Sequence, residues 1–343
     1  MAGVKDVARL AGVSVATVSR VLNDSAAVTG ETRARVLEAV AELGYRPNAV
    51  ARSLRTDTTR TIGLVIGDIL NPFFTELARA VEDEARRSGY SVVIGNADER
   101  PERQDHYVRT LLEQRVDGLL LCPTAEITPL VRDVVRDGAP LVFLDRTLPG
   151  LDVPTVRADG AEAIGALVAH LRGLGRRRVA FISGPALLST GRERTEAFRA
   201  AMRANGLEVP EEYLVAGDFR AGSGRETAAR LLDLPRPPEV IFAGDNLMAL
   251  GALDEIRARG LRIPADVGLA SYDDVPWFAH LEPPVTAIEQ PVQELGRRAV
   301  RALLDRVERR PVEPAVLAAR LVVRRSCGEA PENRGDGEGS GRA

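Results

Sequence analysis

Lysine is almost missing from this 343-residue chain: Lys5 stands alone, and arginine supplies the rest of the 46 basic residues. Aromatic residues make up 4%, and histidine occurs only as His106, His170 and His280. Neither those histidines nor the two distant cysteines, Cys122 and Cys327, form a metal-ligand spacing, so no metal or other cofactor is expected. No 18-residue apolar run occurs, and no charged-then-apolar leader opens the chain. A cytoplasmic protein without a membrane partner is therefore expected. Catalytic signatures are missing too. There is no Gly-x-x-x-x-Gly-Lys-Ser/Thr phosphate loop, no Gly-x-Gly-x-x-Gly after the first strand, no Gly-x-Ser-x-Gly elbow and no paired histidines. The many carboxylates form no persuasive acid/base pair, and no catalysis is expected.

Hydrophobic residues reach 45%, enough for sizeable cores, and the length points to two or three domains. The net charge of −3 at first argues against nucleic acid. Its distribution argues otherwise: residues 1–60 hold nine Lys/Arg against six Asp/Glu, and the remainder 37 against 43. A basic head on an acidic body lets one end approach DNA.

That head reads as a helix-turn-helix. Val4, Val7, Ala8 and Ala11 share a helical face, Gly12 breaks the helix, and Ser14 is placed to cap a second one. The second helix is expected to bury Val18, Val21 and Leu22 and to turn Val15, Ala16, Thr17, Ser19 and Arg20 outward. A third, from about Thr29 to Leu43, points Val36, Leu37, Val40 and Leu43 inward and stops at Gly44. Two amphipathic helices about a glycine are also common in proteins that bind no DNA. The segment after the third helix shifts the balance. It is short and basic, from Tyr45 to Thr56, with Pro47 at a helix start and an apolar Leu54 lacking an evident core.

From Val4 to about Arg325 the chain resembles the lactose-repressor (LacI/GalR) family of bacterial transcription regulators. The resemblance implies that the short segment is a hinge helix, paired with that of a second protomer in the minor groove. Leu54 would then be a wedge at the central base step, which trades unstacking energy for contacts on bent DNA. Asn48, Ala51 and Arg55 are expected beside it. In the head, Val15, Ala16 and Arg20 are expected at major-groove base edges. Thr17, Ser19, Asn23 and Tyr45 are expected at phosphates, and Ser14 is counted with the DNA-binding residues.

From Thr61 the pattern becomes strand–helix alternation. Apolar runs at 61–67, 90–96, 117–122, 140–145, 179–183, 239–244 and 267–272 alternate with helical stretches, which predicts parallel sheets covered on both faces. The run 285–290 and the amphipathic helix after it are expected to return to the first sheet. The fold class is thus a small all-α head on an α/β core of two parallel-sheet lobes. The resemblance implies the likeness to periplasmic sugar-binding proteins and three crossings between lobes. The expected divisions are 1–46 for the head, 47–60 for the hinge and 61–327 for the core. Lobe 1 covers about 61–157 and 288–318, lobe 2 about 158–287 and 319–327, and 328–343 form a disordered tail.

Ligands of such sheets bind at the carboxyl ends of the strands. Residues there include Asp68, Phe73, Phe74, Asp145, Arg146, Thr190, Arg194, Phe219, Asn246 and Asp273. Carboxylates, an amide and a guanidinium around aromatic faces suit sugar hydroxyls. Each residue alone could equally be a helix cap or a loop ion pair, and Phe73 or Phe74 plain core. The resemblance places Asp145, Arg194, Phe219, Asn246 and Asp273 where family members hold their effector. Leu188 replaces an arginine of purine-binding members, which disfavours a purine. Cys122 stands where the lactose-type member has asparagine. Arg146 is expected either to meet an acidic or phosphorylated sugar or to pair with an acid.

The function expected is a transcription regulator, in the repressor sense. It binds a pseudo-palindromic operator as a homodimer, with helix faces such as 74–87 and 246–259 at the dimer contact. A carbohydrate effector changes the angle between lobes and so the order of the hinge. The alternative is a sugar-binding protein with no DNA role.

Overall fold

The computed structural model describes residues 2–22, 28–45 and 58–328. The chain divides into two compact units, one ending at Thr59 and one beginning at Arg60.

In the first unit, α1 (Val4–Leu10), α2 (Val15–Leu22) and α3 (Gly30–Glu42) close on Val7, Ala8, Ala11, Val18, Val21, Val36 and Ala39. Gly12 makes the turn at φ +63, a conformation that side chains resist. Ser14 Oγ accepts the Thr17 N–H at 3.1 Å and starts α2. Thr29 does the same for α3 through the Thr32 N–H. One inward assignment is corrected: Leu37 is 49% exposed, and Ala39 takes the buried place with Val36. A three-residue step, not a four-residue one, continues the inner face there.

The second unit holds two six-stranded sheets. Lobe 1 carries β1 (Thr61–Ile66), β2 (Ser91–Asn96), β3 (Gly118–Leu121), β4 (Leu141–Leu144), β5 (Thr155–Asp159) and β11 (Ala315–Ala318), in the order β11-β5-β4-β3-β1-β2. Every pairing in it is parallel. Lobe 2 carries β6 (Val179–Ser183), β7 (Leu214–Ala216), β8 (Val240–Ala243), β9 (Gly268–Tyr272), β10 (Thr286–Glu289) and β12 (Arg320–Val322), in the order β12-β10-β9-β8-β6-β7. Its β10–β12 pair is antiparallel, an exception to the all-parallel expectation.

Helices cover both faces. Lobe 1 has α4 (Pro72–Arg87), α5 (Pro101–Glu113), α6 (Pro129–Arg136) and the late α11 (Val292–Val307); lobe 2 has α7 (Ala161–Gly173), α8 (Ser189–Ala204), α9 (Ala221–Leu232) and α10 (Asn246–Ala258). Each sheet therefore has an apolar cluster on either side, which is why its central strands are continuous apolar runs. The run expected to return to lobe 1 does so only in part. Residues 286–289 stay in lobe 2, paired with β9, and the chain crosses immediately afterwards into α11.

Four strands lie outside the runs read from sequence: β5, β7, β11 and β12. Three are edge strands or half-covered, and their burial alternates or is partial, so no apolar run marks them. Helix α4, one of the expected dimer faces, has two different sides. Its inner side packs on α11 through Leu77, Ala78 and Val81, and its outer side carries Arg79–Asp83 and Arg86–Glu82 ion pairs. Exposed apolar side chains lie on β2, at Val93 and Ile94, and in the loop of Ile69 and Leu70.

Candidate effector cleft and nucleic-acid-binding head

Both sheets reverse their strand order beside the first strand, at β1/β3 and β6/β8, and the loops at those carboxyl ends face each other. Side chains from both lobes meet there: Asp68, Asn71, Phe73, Phe74, Glu99, Asp145 and Arg146 from lobe 1, and Thr190, Arg194, Phe219, Arg220, Asp245 and Asp273 from lobe 2. The free space among them is only about 20 Å³. That is room for a water, and a second space of about 370 Å³ beside it shares Asp145, Thr190 and Arg194.

Arg194, in the second turn of α8, is 8% exposed. It donates to the Gly244 carbonyl at 2.7 Å, stacks 3.7 Å above the Tyr272 ring and lies 4.0 Å from Asp273. Asp273 follows β9 and accepts from the Gln290 amide at 2.6 Å. Burial, countered by Arg194, pushes the Asp273 carboxyl up to about 6. Asp245 caps α10 by accepting the Met248 N–H at 2.8 Å, and burial pushes it up to about 7. Burial also raises Asp145, against the pull of Arg146 and Arg194.

Arg146 forks onto Glu99 with bonds of 2.7 and 2.8 Å and is 3% exposed. Its Nε lies 3.5 Å from Asp145 and has no hydrogen-bond partner. Burial opposes its charge, but Glu99 and Asp145 outweigh that and hold it protonated. Rings close over the guanidinium: Phe74 at 5.6 Å and Phe219 at 5.9 Å. Phe73 and Phe74 meet edge to face at 5.1 Å and belong both to the lobe-1 core and to the cleft wall. Gly184 makes room for Phe219: a Cβ there would stand 2.0 Å from its ring. Thr190 Oγ1, on the cleft wall, is buried without a partner and available to a ligand, while the unpartnered Asn246 Oδ1 lies behind the lining residues.

Polar contacts lock the lobes together. Asn71 donates to Asp245 at 3.3 Å and accepts from Asn246 at 2.9 Å. The Thr147 N–H donates to Ser189 Oγ at 3.1 Å, and Arg220 pairs with Asp98 at 2.8 Å. Of the residues read from sequence, Asn246 thus spends its amide on Asn71, while Asp68 accepts the Leu70 N–H at 3.0 Å and lines the wall. Sequence reasoning missed Glu99 and Arg220, and left Asn71 and Asp245 as strand-end neighbours of the residues it chose. The signal for Asn71 was present as a helix cap before Pro72; nothing local marked Glu99. Backbone conformation marks the same place. Asp98, Glu99, Asp145, Phe219 and Asp273 all have φ between 52° and 69°, where non-glycine residues are uncommon.

On the head, Val15, Ala16 and Arg20 are exposed along one side of α2. The Ser14 and Thr17 hydroxyls lie 2.9 Å apart, so part of their hydrogen-bonding capacity is spent on the cap. Ser19 is half-buried. Tyr45 packs against the head core. Asn23, Asn48, Ala51, Leu54 and Arg55, and the tail beyond Gly328, lie outside the described residues.

Residues 3–48 match the family of bacterial regulatory proteins, lacI family, and residues 168–327 a periplasmic binding protein-like domain. The ribose operon repressor of Escherichia coli is 38% identical over 321 residues, covering 90% of this chain and 93% of its own. The chain belongs to the lacI family. The E. coli transcriptional repressor CytR is 33% identical over 96% of this chain and 97% of its own. Among solved structures, the Lac repressor dimer bound to operator and the anti-inducer ONPF superposes with a TM-score of 0.85 at 29% identity, over 96% of this chain and 99% of that one. The regulator CelR in complex with cellobiose does so at 0.72 and 34%, over 95% and 100%. Among the described residues no helix is long and apolar enough to cross a membrane.

Proposed function

We propose that this member of the lacI family is a transcription repressor that grips a partly palindromic operator as a homodimer and is switched by a neutral sugar held between its lobes. The observation that carries the reading is one chain joining a lacI-type head to a buried cleft of carboxylates, guanidinium groups and phenyl rings. The operator-bound Lac repressor dimer and the cellobiose complex of CelR support it by likeness.

In this reading Val15, Ala16 and Arg20 meet base edges, and Ser14, Thr17, Ser19, Asn23 and Tyr45 lie at phosphates. The segment holding Asn48, Ala51, Leu54 and Arg55 enters the minor groove. In the cleft, Asp145 and Asp273 receive sugar hydroxyls with Asn246 behind them, Arg194 fixes the ring oxygens, and Phe73, Phe74 and Phe219 cover apolar faces. Asp68 and Thr190 complete the wall. Arg146 is already paired with Glu99, which favours the acid-pairing alternative over an acidic ligand. The ligand therefore gains from hydroxyls, not from charge. With Asp245 spent on a helix cap, Glu99 on Arg146 and Asp273 sharing the Gln290 amide, the site is read as one that binds and does not catalyse. A protein working on chromosomal operators works in the cytoplasm, at the nucleoid.

Selection from a randomised duplex pool tests this. A palindrome should be enriched, and its affinity at fixed salt should change when a sugar that stabilises the protein is added. No enrichment over random DNA, with or without sugars, would remove the reading.

A further inference from the structure

Five charged side chains alternate across the cleft. Glu99 grips Arg146, Arg146 lies beside Asp145, and Arg194 stands opposite Asp273 with the Asp145 charge acting on it. Counting the whole wall, Asp68, Glu99, Asp145, Asp245 and Asp273 face Arg146, Arg194 and Arg220. Glu99 is the one carboxylate that takes both forks of a cleft guanidinium. A two-pronged pair of this kind leaves the cation little attraction for a third charge.

The place of Glu99 is built with care. It ends a turn of two successive left-handed residues, Asp98 at φ 52 and Glu99 at φ 56. Asp98 is held from lobe 2 by Arg220 and from lobe 1 by Arg103. The carboxylate of Glu99 lies against Gly67, where a Cβ would come within 2.3 Å of its Oε1. Strained backbone and a bare glycine thus set one acid against one base.

Resting on the reading that the cleft holds a sugar, we propose that Glu99 is a specificity-determining residue. By neutralising Arg146 it shuts out phosphorylated and carboxylated sugars and restricts the cleft to neutral ones. Arg146 then keeps its unpartnered Nε–H for a ligand, a donor that suits a hydroxyl oxygen. Removing the Glu99 charge turns Arg146 into an anion receptor, because Asp145 alone faces it at 3.5 Å and without a hydrogen bond.

The test uses the full chain as wild type, Glu99→Gln and the double variant Glu99→Gln/Arg146→Gln. Probes are inorganic phosphate, D-glucose, D-ribose, glucose 6-phosphate and ribose 5-phosphate at matched ionic strength, read by thermal shift and calorimetric titration. The wild type should ignore phosphate and prefer a neutral sugar to its ester. Glu99→Gln should be stabilised by phosphate, and its ester-to-parent affinity ratio should rise by about tenfold or more. The double variant should lose that gain. The inference is overturned if the wild type binds ester and parent alike, if the folded Glu99→Gln protein keeps the wild-type ratio and ignores phosphate, or if the gain survives in the double variant. Should Glu99→Gln not fold, Glu99→Ala serves in its place with the same outcomes. Silence from every sugar would sink the carbohydrate reading, while the phosphate arm would still decide the role of Glu99.

Discussion

Asp245 is a carboxyl group held above its ordinary range, and its stability signature has a definite sign. Its folded value of about 7 exceeds the ordinary 3.8, with burial the leading cause. Between those values the native state binds more protons than the unfolded chain, so stability falls as pH rises from about 4 to about 7. Asp245→Asn removes this titration while keeping an oxygen for the Met248 N–H. Urea denaturation at pH 5 and pH 8 should show the loss across that interval reduced by about 2–3 kcal/mol. An unchanged slope would mean the carboxyl is not held protonated. Arg194 yields a second expectation. A lysine cannot both reach the Gly244 carbonyl and lie flat on Tyr272. Arg194→Lys should cost roughly 2–3 kcal/mol of sugar affinity by titration, with melting little changed. Asp145 and Asp273 were legible because each follows an apolar run, and Arg194 from the opening of the helix after Gly184 and Pro185. Glu99 was not, because its partner Arg146 is 47 positions away and only the sheet brings them together.

Elements were legible where burial is two-sided. Strands β1, β3, β4, β8 and β9 are covered on both faces and read as unbroken apolar stretches. The short strands β7 and β12, three residues each, carry no periodic signal and exist because a neighbour offers hydrogen bonds. Helix starts were readable from chemistry, as at Ser14 and Thr29, where a hydroxyl accepts a free N–H. Ser14→Ala should therefore cost about 1 kcal/mol of head stability and weaken operator binding. Sugar binding should stay at the wild-type level. A variant whose sugar affinity also fell would show that the hydroxyl matters beyond its helix.

For the receptor as a whole, closure rests on a few polar bonds between lobes. The Arg220–Asp98 pair is partly exposed, so its share is small. Arg220→Ala should lower sugar affinity by about 1 kcal/mol, through faster release, as the open form gains population. Stopped-flow dissociation measures this; unchanged release would place the latch elsewhere, at Asn71 or Ser189. Two lobes could be anticipated from the strand–helix rhythm, but the antiparallel β10–β12 closure could not, since it depends on where a late segment lands.

That late segment also constrains how the protein is made. Lobe 1 begins at Thr61, yet its helix α11 and edge strand β11 lie between Val292 and Ala318. During synthesis the apolar flank of α4 that α11 will cover, with Leu77 and Val81, has no mate until nearly the entire polypeptide has left the ribosome. A nascent chain stalled before residue 292 would carry a bare hydrophobic seam, a natural target for chaperones, and neither lobe could finish early, since lobe 2 draws its edge strand β12 from the same late segment.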